Sequence, residues 1–94
     1  MDPNKIQILP EEKDRKRKML SALSKGKKSF FYCITGSKNG ILEIVPSWVY
    51  LLSGQENVLL GLAGTYANAL KLTEQMIGRV YRDTNTFDVR GYFG

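Results

Sequence analysis

Residues 57–82 read NVLLGLAGTYANALKLTEQMIGRVYR, and this stretch decides the fold. Residues 58–63 form an apolar run broken only by Gly61, which is typical of a strand covered on both faces. From Thr65 onward the apolar residues recur at steps of three and four, which predicts a long amphipathic helix. Thr65 suits the N-cap position, and residues 83–85 (Asp-Thr-Asn) supply a stop. We therefore expect a central strand that runs into a helix lying on a sheet.

The predicted helix has one apolar and one polar side. Gly78 falls on the polar side, where glycine costs about 1 kcal/mol relative to alanine. It either permits the close approach of another backbone or is simply tolerated, and tolerance is the simpler interpretation. The side predicted to pack on the sheet contains Tyr66, Ala69, Leu70, Thr73, Met76, Ile77, Val80 and Tyr81.

A hairpin precedes the central strand. Residues 29–35 (SFFYCIT) are dense in aromatic and branched side chains and predict a strand. Asn39-Gly40 is typical of a type I′ turn, residues 41–45 return as the second strand, and Pro46 ends it. Side chains alternate along the first strand, so one face should hold Phe30, Tyr32 and Ile34 and the other Phe31 and Cys33. We expect the aromatic residues Phe30, Phe31 and Tyr32 to be core.

Short segments flank these elements. Residues 47–54 (SWVYLLSG) fit a strand by composition, but their spacing favours a short helix with Ser47 as a candidate N-cap. The acidic residues after Pro10 favour a helix start there, because they would meet the positive end of the helix dipole. That helix should run to about Ser24 and stop near Gly26.

The two ends of the chain leave alternatives open. Residues 1–10 carry Ile6, Ile8 and Leu9 at near-alternating positions, so they form an edge strand, cross to a partner subunit or remain loose. The tail after the long helix carries four large apolar side chains, which either fold back over the sheet or meet another chain. These tail residues are Phe87, Val89, Tyr92 and Phe93.

The predicted fold is a small single α+β domain. Residues 1–28 form a basic N-terminal segment with a helix, residues 29–82 a ββ(turn)βα core, and residues 83–94 a C-terminal tail. The core has an antiparallel three-stranded sheet, formed by the hairpin and the third strand, with the long helix packed on one face. Three strands leave edges that need cover. The two ends of the chain supply that cover, or the protein forms a homodimer through an exposed edge or aromatic face.

Composition excludes several kinds of chemistry. The 94 residues include no histidine, which removes the usual general base and the commonest metal ligand. The single cysteine, Cys33, excludes an intrachain disulfide, and in mid-strand it is more often a small buried hydrophobe than a nucleophile. We therefore expect no enzyme, no cofactor and no metal site. The charged N-terminus and the absence of a long apolar run predict a cytoplasmic protein without a membrane segment.

The turn before the long helix is a weak candidate for an anion site. A glycine-bearing turn from strand to helix can present backbone N–H groups to a phosphate or carboxylate, here at Gly61, Gly64 and Thr65. The turn lacks the third glycine of a dinucleotide fingerprint and the ending of a P-loop. Sharp turning and close packing explain the two glycines more simply.

Charge is concentrated at one end of the chain. Residues 1–28 hold nine basic and four acidic side chains, whereas residues 29–94 hold five of each sign. A solvated helix face explains this, but so does contact with nucleic-acid phosphates or with an acidic protein. Our first functional hypothesis is a small non-enzymatic protein-interaction or adaptor domain, and the second is a nucleic-acid-binding accessory protein. The candidate contact residues are Lys13, Arg15, Lys16, Arg17, Lys18, Lys25, Lys27 and Lys28.

Overall fold

A four-stranded mixed sheet forms the centre of the computed structural model, which describes residues 3–26, 29–53 and 57–94. β1 runs parallel to β4, whereas β2 is antiparallel to both of its neighbours. The α+β class is confirmed, and β4 has the interior position expected of its apolar run. The expected three-stranded antiparallel sheet has a fourth, parallel strand because the N-terminal segment pairs with β4. In the order β1-β4-β2-β3, the strands are β1 (Gln7–Ile8), β4 (Val58–Ala63), β2 (Tyr32–Gly36) and β3 (Leu42–Pro46).

Helices cover both faces of this sheet. Short 3-10 helices at Pro3–Lys5 and Pro10–Arg15 precede α1. α1 and α2 pack on one face and α3 and α4 on the other, so each face has its own apolar cluster. The helices are α1 (Lys16–Lys25), α2 (Ser47–Leu52), α3 (Tyr66–Thr84) and α4 (Val89–Phe93). The buried residues on the α1 side include Met19, Leu23, Phe31, Cys33, Tyr50 and Leu62. Those on the α3 side include Leu9, Ile34, Leu60, Leu72, Met76 and Val80.

A β-bulge in β4 explains the glycine in the apolar run. Ile34 of β2 pairs with Gly61 and the next residue with Leu59, so Leu60 is the extra residue. Leu60 packs in the cluster under α3. A Cβ at Gly61 would lie 3.2 Å from the ends of both Ile34 and Leu72, so position 61 also faces α3. Two consecutive residues therefore point toward one helix, and the second has to be small.

The ends of α3 agree with the sequence, but its buried side is rotated. The Thr65 hydroxyl accepts the Asn68 N–H at 3.1 Å, and Asn85 ends the helix in the left-handed region with φ 58°. The apolar set was wider than the strip that a sheet covers, so the residues at its margins remain exposed. The buried residues are Ala69, Leu72, Met76 and Val80, whereas Tyr66, Leu70 and Tyr81 of the predicted face are exposed.

The hairpin is confirmed, but its predicted turn type is wrong. A type I′ turn needs positive φ at both central residues, and of the pair Asn39-Gly40 only the glycine has it, at 81°. The Gly40 N–H donates to the Ser37 carbonyl at 3.0 Å, and the Ser37 N–H donates to the Ile41 carbonyl at 2.9 Å. These bonds describe a three-residue loop in which a turn is followed by a left-handed glycine.

The flanking segments are ordered around the core. Residues 47–52 are helical as favoured, although Ser47 does not cap α2 with its side chain. Its hydroxyl instead donates to the Ser29 carbonyl at 2.6 Å and holds α2 against the start of β2. The N-terminal helix begins as a 3-10 turn and stops at Gly26, with φ 65°. The tail folds back, since Val89 and Phe93 are buried on the α3 side.

Candidate functional site

An open groove of about 690 Å³ lies between the N-terminal strand β1 and α3. This volume is in the range of sites that bind ligands or peptide side chains, roughly 300–1,000 Å³. The floor is apolar and continuous with the core, because Leu72 and Met76 belong to the buried strip of α3. Ile8, Pro10 and Phe93 complete the apolar lining.

The C-terminal tail builds one end of this groove. The Asp88 carboxylate accepts the Gly91 N–H at 3.0 Å and caps α4. This cap fixes the short helix, whose residue Phe93 packs edge-to-face on Tyr92 with ring centroids 4.8 Å apart. A tail that the sequence showed only as four apolar side chains therefore forms a wall of the site.

Gly78 keeps the groove open. A Cβ at this position would meet no atom within 4 Å, so the missing side chain leaves free space along the α3 backbone. The sequence suggested two interpretations of Gly78, close approach or tolerance, and no backbone in the described part of the chain packs against it. The groove makes an approach by another molecule sterically feasible.

The rim of the groove is cationic. Arg79 and Arg82 are exposed and lie three residues apart on one side of α3. Among the residues that the structure describes, neither takes part in an ion pair, since the two pairs found there are Arg15 with Glu12 and Lys71 with Glu11. Within residues 3–26, 29–53 and 57–94, no acidic residue lines the groove.

Asp83 follows Arg82 in the chain, and its carboxylate is bonded to Tyr92. The Tyr92 hydroxyl donates a hydrogen bond to the Asp83 carboxylate, and this bond is the main cause that raises the pKa of Tyr92. Arg79 and Arg82 act in the opposite direction on the pKa of Tyr92, so both guanidinium groups lie within electrostatic reach of this pair. Asp83 is nonetheless bonded to Tyr92 and leaves the rim without an ion-pair partner of its own.

The basic N-terminal residues form a second charged surface, on the outside of α1. The exposed cations of α1 itself face away from the sheet, because Met19, Ala22 and Leu23 occupy the inner side of the helix. Lys13 and Arg15 precede α1, and the Arg15 guanidinium lies beside Gly64. Arg15 is the one cation of this group with an ion pair among the described residues, at 3.6 Å from Glu12. Lys16 is half-buried, and Lys27 and Lys28 lie outside the described residues. The exposed cations are Lys13, Arg15, Arg17, Lys18 and Lys25, with Ser21 and Ser24 between them on the helix surface.

The turn proposed as an anion site is occupied by a side chain of the protein itself. The Gly64 N–H donates to the Glu12 carboxylate at 2.9 Å, and the Thr65 hydroxyl is used in capping α3. Gly61 lies in the interior of the sheet between Ile34 and Leu72. An external anion at this turn would have to displace the Glu12 carboxylate.

Sequence reasoning missed the role of Glu12. Its position after Pro10 favoured an interaction with the start of its own helix, but its side chain is buried and crosses to the start of α3. Glu11, beside it, also reaches α3, where the Lys71 ammonium lies 3.4 Å from its carboxylate. The two contacts join residues that are 52 and 60 positions apart, so no local pattern announces them.

The surroundings of Cys33 are those of a core residue and not of a nucleophile. Its side chain is fully buried in the sheet, and desolvation raises the pKa of the thiol to about 12. The reactive thiolate is therefore scarce near neutral pH. Within residues 3–26, 29–53 and 57–94, no three acidic or cysteine side chains come together as a metal-binding group.

The expectation that three aromatic residues of β2 and its approach are core is only partly right. Phe31 is buried, but Phe30 is 67% exposed because it lies before the first paired residue of the strand. Tyr32 is half-buried and packs edge-to-face on Phe30 and on Tyr66, with ring centroids 5.6 and 5.7 Å apart. The rings brace one another at the margin of the sheet.

None of the helices in the described part of the chain combines the length and the apolar character needed to cross a bilayer. No protein-family model, curated protein or solved structure matches the chain.

Proposed function

We propose that this chain is a small non-enzymatic interaction domain that docks a segment of another protein in the groove between β1 and α3. The observation that carries this proposal is the groove itself, with an apolar floor beside the open position Gly78 of α3. Its rim holds two arginines that form no ion pair with any residue in the described part of the chain. Interfaces combine such an apolar centre with a polar rim, and arginine is enriched in them. The domain acts as an adaptor by holding that segment.

A substitution that fills the groove tests this proposal. Gly78→Leu places a large side chain where a Cβ has free space, and it also raises helix propensity, so the fold should be retained. Ser24→Leu adds the same side chain to an exposed position of α1 on the opposite face and is the matched control. Proteins crosslinked to the wild type from the source cell should be lost with Gly78→Leu and kept with Ser24→Leu. Equal recovery with both variants would contradict docking in the groove.

A nucleic-acid-binding accessory protein is the second candidate function. The exposed cations on the outside of α1 favour it, because Arg17, Lys18 and Lys25 lie on a helix surface whose remaining residues are small serines. Such a surface lets a phosphate backbone approach closely. Binding of this kind neutralises phosphates without reading base sequence.

A salt titration tests the second candidate. If α1 contacts phosphates, the logarithm of the affinity for duplex DNA should fall linearly with the logarithm of the salt concentration. Changing Arg17, Lys18 and Lys25 together to glutamate should reduce the slope by about 0.9 for each phosphate that the variant no longer neutralises. Lys38→Glu in the exposed hairpin loop is the control. A slope that survives the triple substitution would exclude α1 as the contact surface.

A further inference from the structure

We infer that the segment bound in the groove carries a large apolar side chain beside two carboxylates separated by one residue. This inference rests on the proposed function above and names the chemistry of the partner. It follows from three properties of the groove, namely its floor, its rim and its polar flanks.

The floor selects a large apolar side chain. Leu72 and Met76 are buried in the domain core, while Ile8 and Phe93 extend the apolar surface to the two ends of the groove. Ile8 is half-buried and Pro10 is exposed, so these two residues offer more of the apolar contact surface than the buried Leu72 and Met76 beneath them.

The rim selects carboxylates and sets their spacing. Arg79 and Arg82 are neighbours on the α3 surface, with Cβ atoms roughly 5–6 Å apart. In an extended peptide, side chains two residues apart lie on the same side at roughly 6.5–7 Å. Two acidic residues separated by one position therefore match the two guanidinium groups, which bind carboxylates through paired N–H donors. Of the lining residues that the structure describes, none is an acid that competes for them.

The polar flanks favour a peptide over another anionic molecule. Gln7 and Gln75 line the groove. The Gln7 amide already donates one N–H to the Lys5 carbonyl at 3.2 Å, so it keeps one N–H and its oxygen for a ligand, and the Gln75 amide also carries both donors and an acceptor. A peptide main chain presents the complementary donors and acceptors, whereas the tail of an anionic lipid would leave these groups unpaired. The free space at Gly78 gives a main chain room to approach α3.

A displayed library of random short peptides provides the test. Selection on the wild-type domain, with Gly78→Leu as the counter-selection, should enrich an apolar residue next to an acid-x-acid pattern. Each of Arg79→Glu and Arg82→Glu should weaken a synthetic peptide of this pattern by about tenfold or more, as expected when a charge-assisted hydrogen bond is removed. Placing lysines at the two acidic positions of the peptide should restore binding to the double variant. Lys38→Glu, in the exposed hairpin loop, should leave the affinity unchanged.

The outcomes separate this inference from the proposed function. Enriched peptides that bind without acidic residues, and still require an open Gly78, would overturn the inference and leave the docking function standing. Failure to enrich any peptide over the counter-selection would overturn the inference, and unchanged partner capture by Gly78→Leu would overturn the function.

A second copy of the chain is another outcome. Phe87 stacks on Tyr81 but is still 67% exposed, so a neighbouring molecule could present this side chain to the groove. Concentration-dependent sedimentation that disappears in both Phe87→Ala and Gly78→Leu would assign the groove to self-association and overturn the inference.

Discussion

At the scale of single residues, Glu12 connects the N-terminal segment to the start of α3. Only 5% of the residue is exposed, and one carboxylate oxygen accepts the Gly64 N–H. The other oxygen has no hydrogen-bond partner among the residues that the structure describes. The neighbouring Glu11 makes an exposed ion pair with Lys71. The two adjacent glutamates thus differ in burial, and their removal should lower the free energy of unfolding by different amounts.

This difference predicts the stability of two matched variants. Glu12→Ala leaves the Gly64 N–H without its acceptor and should lower the free energy of unfolding by about 1–3 kcal/mol. Glu11→Ala removes an exposed ion pair and should cost less than about 1 kcal/mol. Urea unfolding of the two variants beside the wild type measures both effects. Equal stabilities would show that the Glu12 contact does not contribute.

Gly64 reports on the same contact from the other side. A Cβ at this position would lie 2.5 Å from the Glu12 carboxylate oxygen and 2.3 Å from Arg15, so Gly64→Ala should displace both side chains and lower stability. Gly78→Ala is the matched control, because its Cβ meets nothing within 4 Å and alanine should stabilise the helix by about 1 kcal/mol. In thermal unfolding, the melting temperature should fall for Gly64→Ala and rise for Gly78→Ala. A stabilising Gly64→Ala would contradict the described packing.

Cys33 predicts how stability depends on pH. Burial raises the pKa of the thiol from 9.0 to about 12, so above pH 9 the unfolded chain loses this proton while the folded chain keeps it. The buried thiol therefore makes its full contribution to the free energy of unfolding below pH 9. That contribution falls as pH rises toward 12, by at most about 1.4 kcal/mol per pH unit. Burial also raises the pKa of Tyr50, which acts in the same direction.

Urea unfolding between about pH 8 and pH 11 measures this decline. Cys33→Ala should make the decline shallower, although the variant is less stable at every pH because it leaves a small cavity. Parallel curves for the variant and the wild type would contradict the assignment to Cys33.

At the scale of elements, β3 forms an edge of the sheet that resists pairing with itself. Hydrogen bonds at both ends of the β2–β3 pair, Ser37 to Ile41 and Ser47 to Phe31, fix the alternation along β3. The main-chain groups of Leu42 and Ile44 consequently point to the free edge, and Pro46 has no N–H to offer there. If Leu42 met Ile44 of a second copy, the two Glu43 side chains would lie opposite each other and repel.

Removing this charge should promote self-association. Glu43→Val lifts the repulsion and raises β propensity, so light scattering should detect a larger mass at high protein concentration. Glu74→Val, on the exposed side of α3, is the control for added surface hydrophobicity. A strictly monomeric Glu43→Val protein would show that the edge is protected by something other than this charge.

The elements also show what the sequence could predict. Both ends of α3 were predictable, because a cap at Thr65 and a stop near Asn85 depend on neighbouring residues. Its rotation was not, because the periodic pattern marked a wider apolar strip than the sheet covers. Tyr66 and Tyr81 found aromatic neighbours, Tyr32 and Phe87, at the margins instead of places in the core.

At the scale of the whole molecule, the two candidate surfaces lie in different layers. The basic outer side of α1 belongs to the layer on one face of the sheet, and the groove belongs to the α3 layer on the other. Substitutions at distant residues that share no contact partner have nearly additive effects on free energies. The two surfaces should therefore act independently.

A double substitution tests that independence. Combining Arg17→Glu with Arg79→Glu should change DNA affinity as Arg17→Glu alone does, and peptide affinity as Arg79→Glu alone does. Fluorescence titration of the single and double variants measures both affinities. A coupling larger than about 0.5 kcal/mol would indicate a linked site and contradict the separation.

Local signals account for what the sequence could predict of the molecule. The hairpin, the central strand and the long helix followed from patterns within each segment, and the basic surface followed from composition. The pairing of β1, the Glu12 contact and the groove arise where distant segments meet, so no stretch of sequence contains them. Arg79 and Arg82 became candidate site residues only when α3, β1 and the tail were seen together.

The position of β1 in the sheet has a consequence for how the chain folds during synthesis. Ile6 contributes to the cluster under α1 and Leu9 to the cluster under α3, and between them Gln7 pairs with Gly61. During synthesis the amino-terminal residues leave the ribosome long before their pairing partners exist. The apolar clusters on the two faces of the sheet cannot be completed until β4 has been synthesised. Until then the residues of β1 have no strand with which to pair. Completion of the native state then depends on a long-range encounter, which is a slow step compared with forming helices or hairpins.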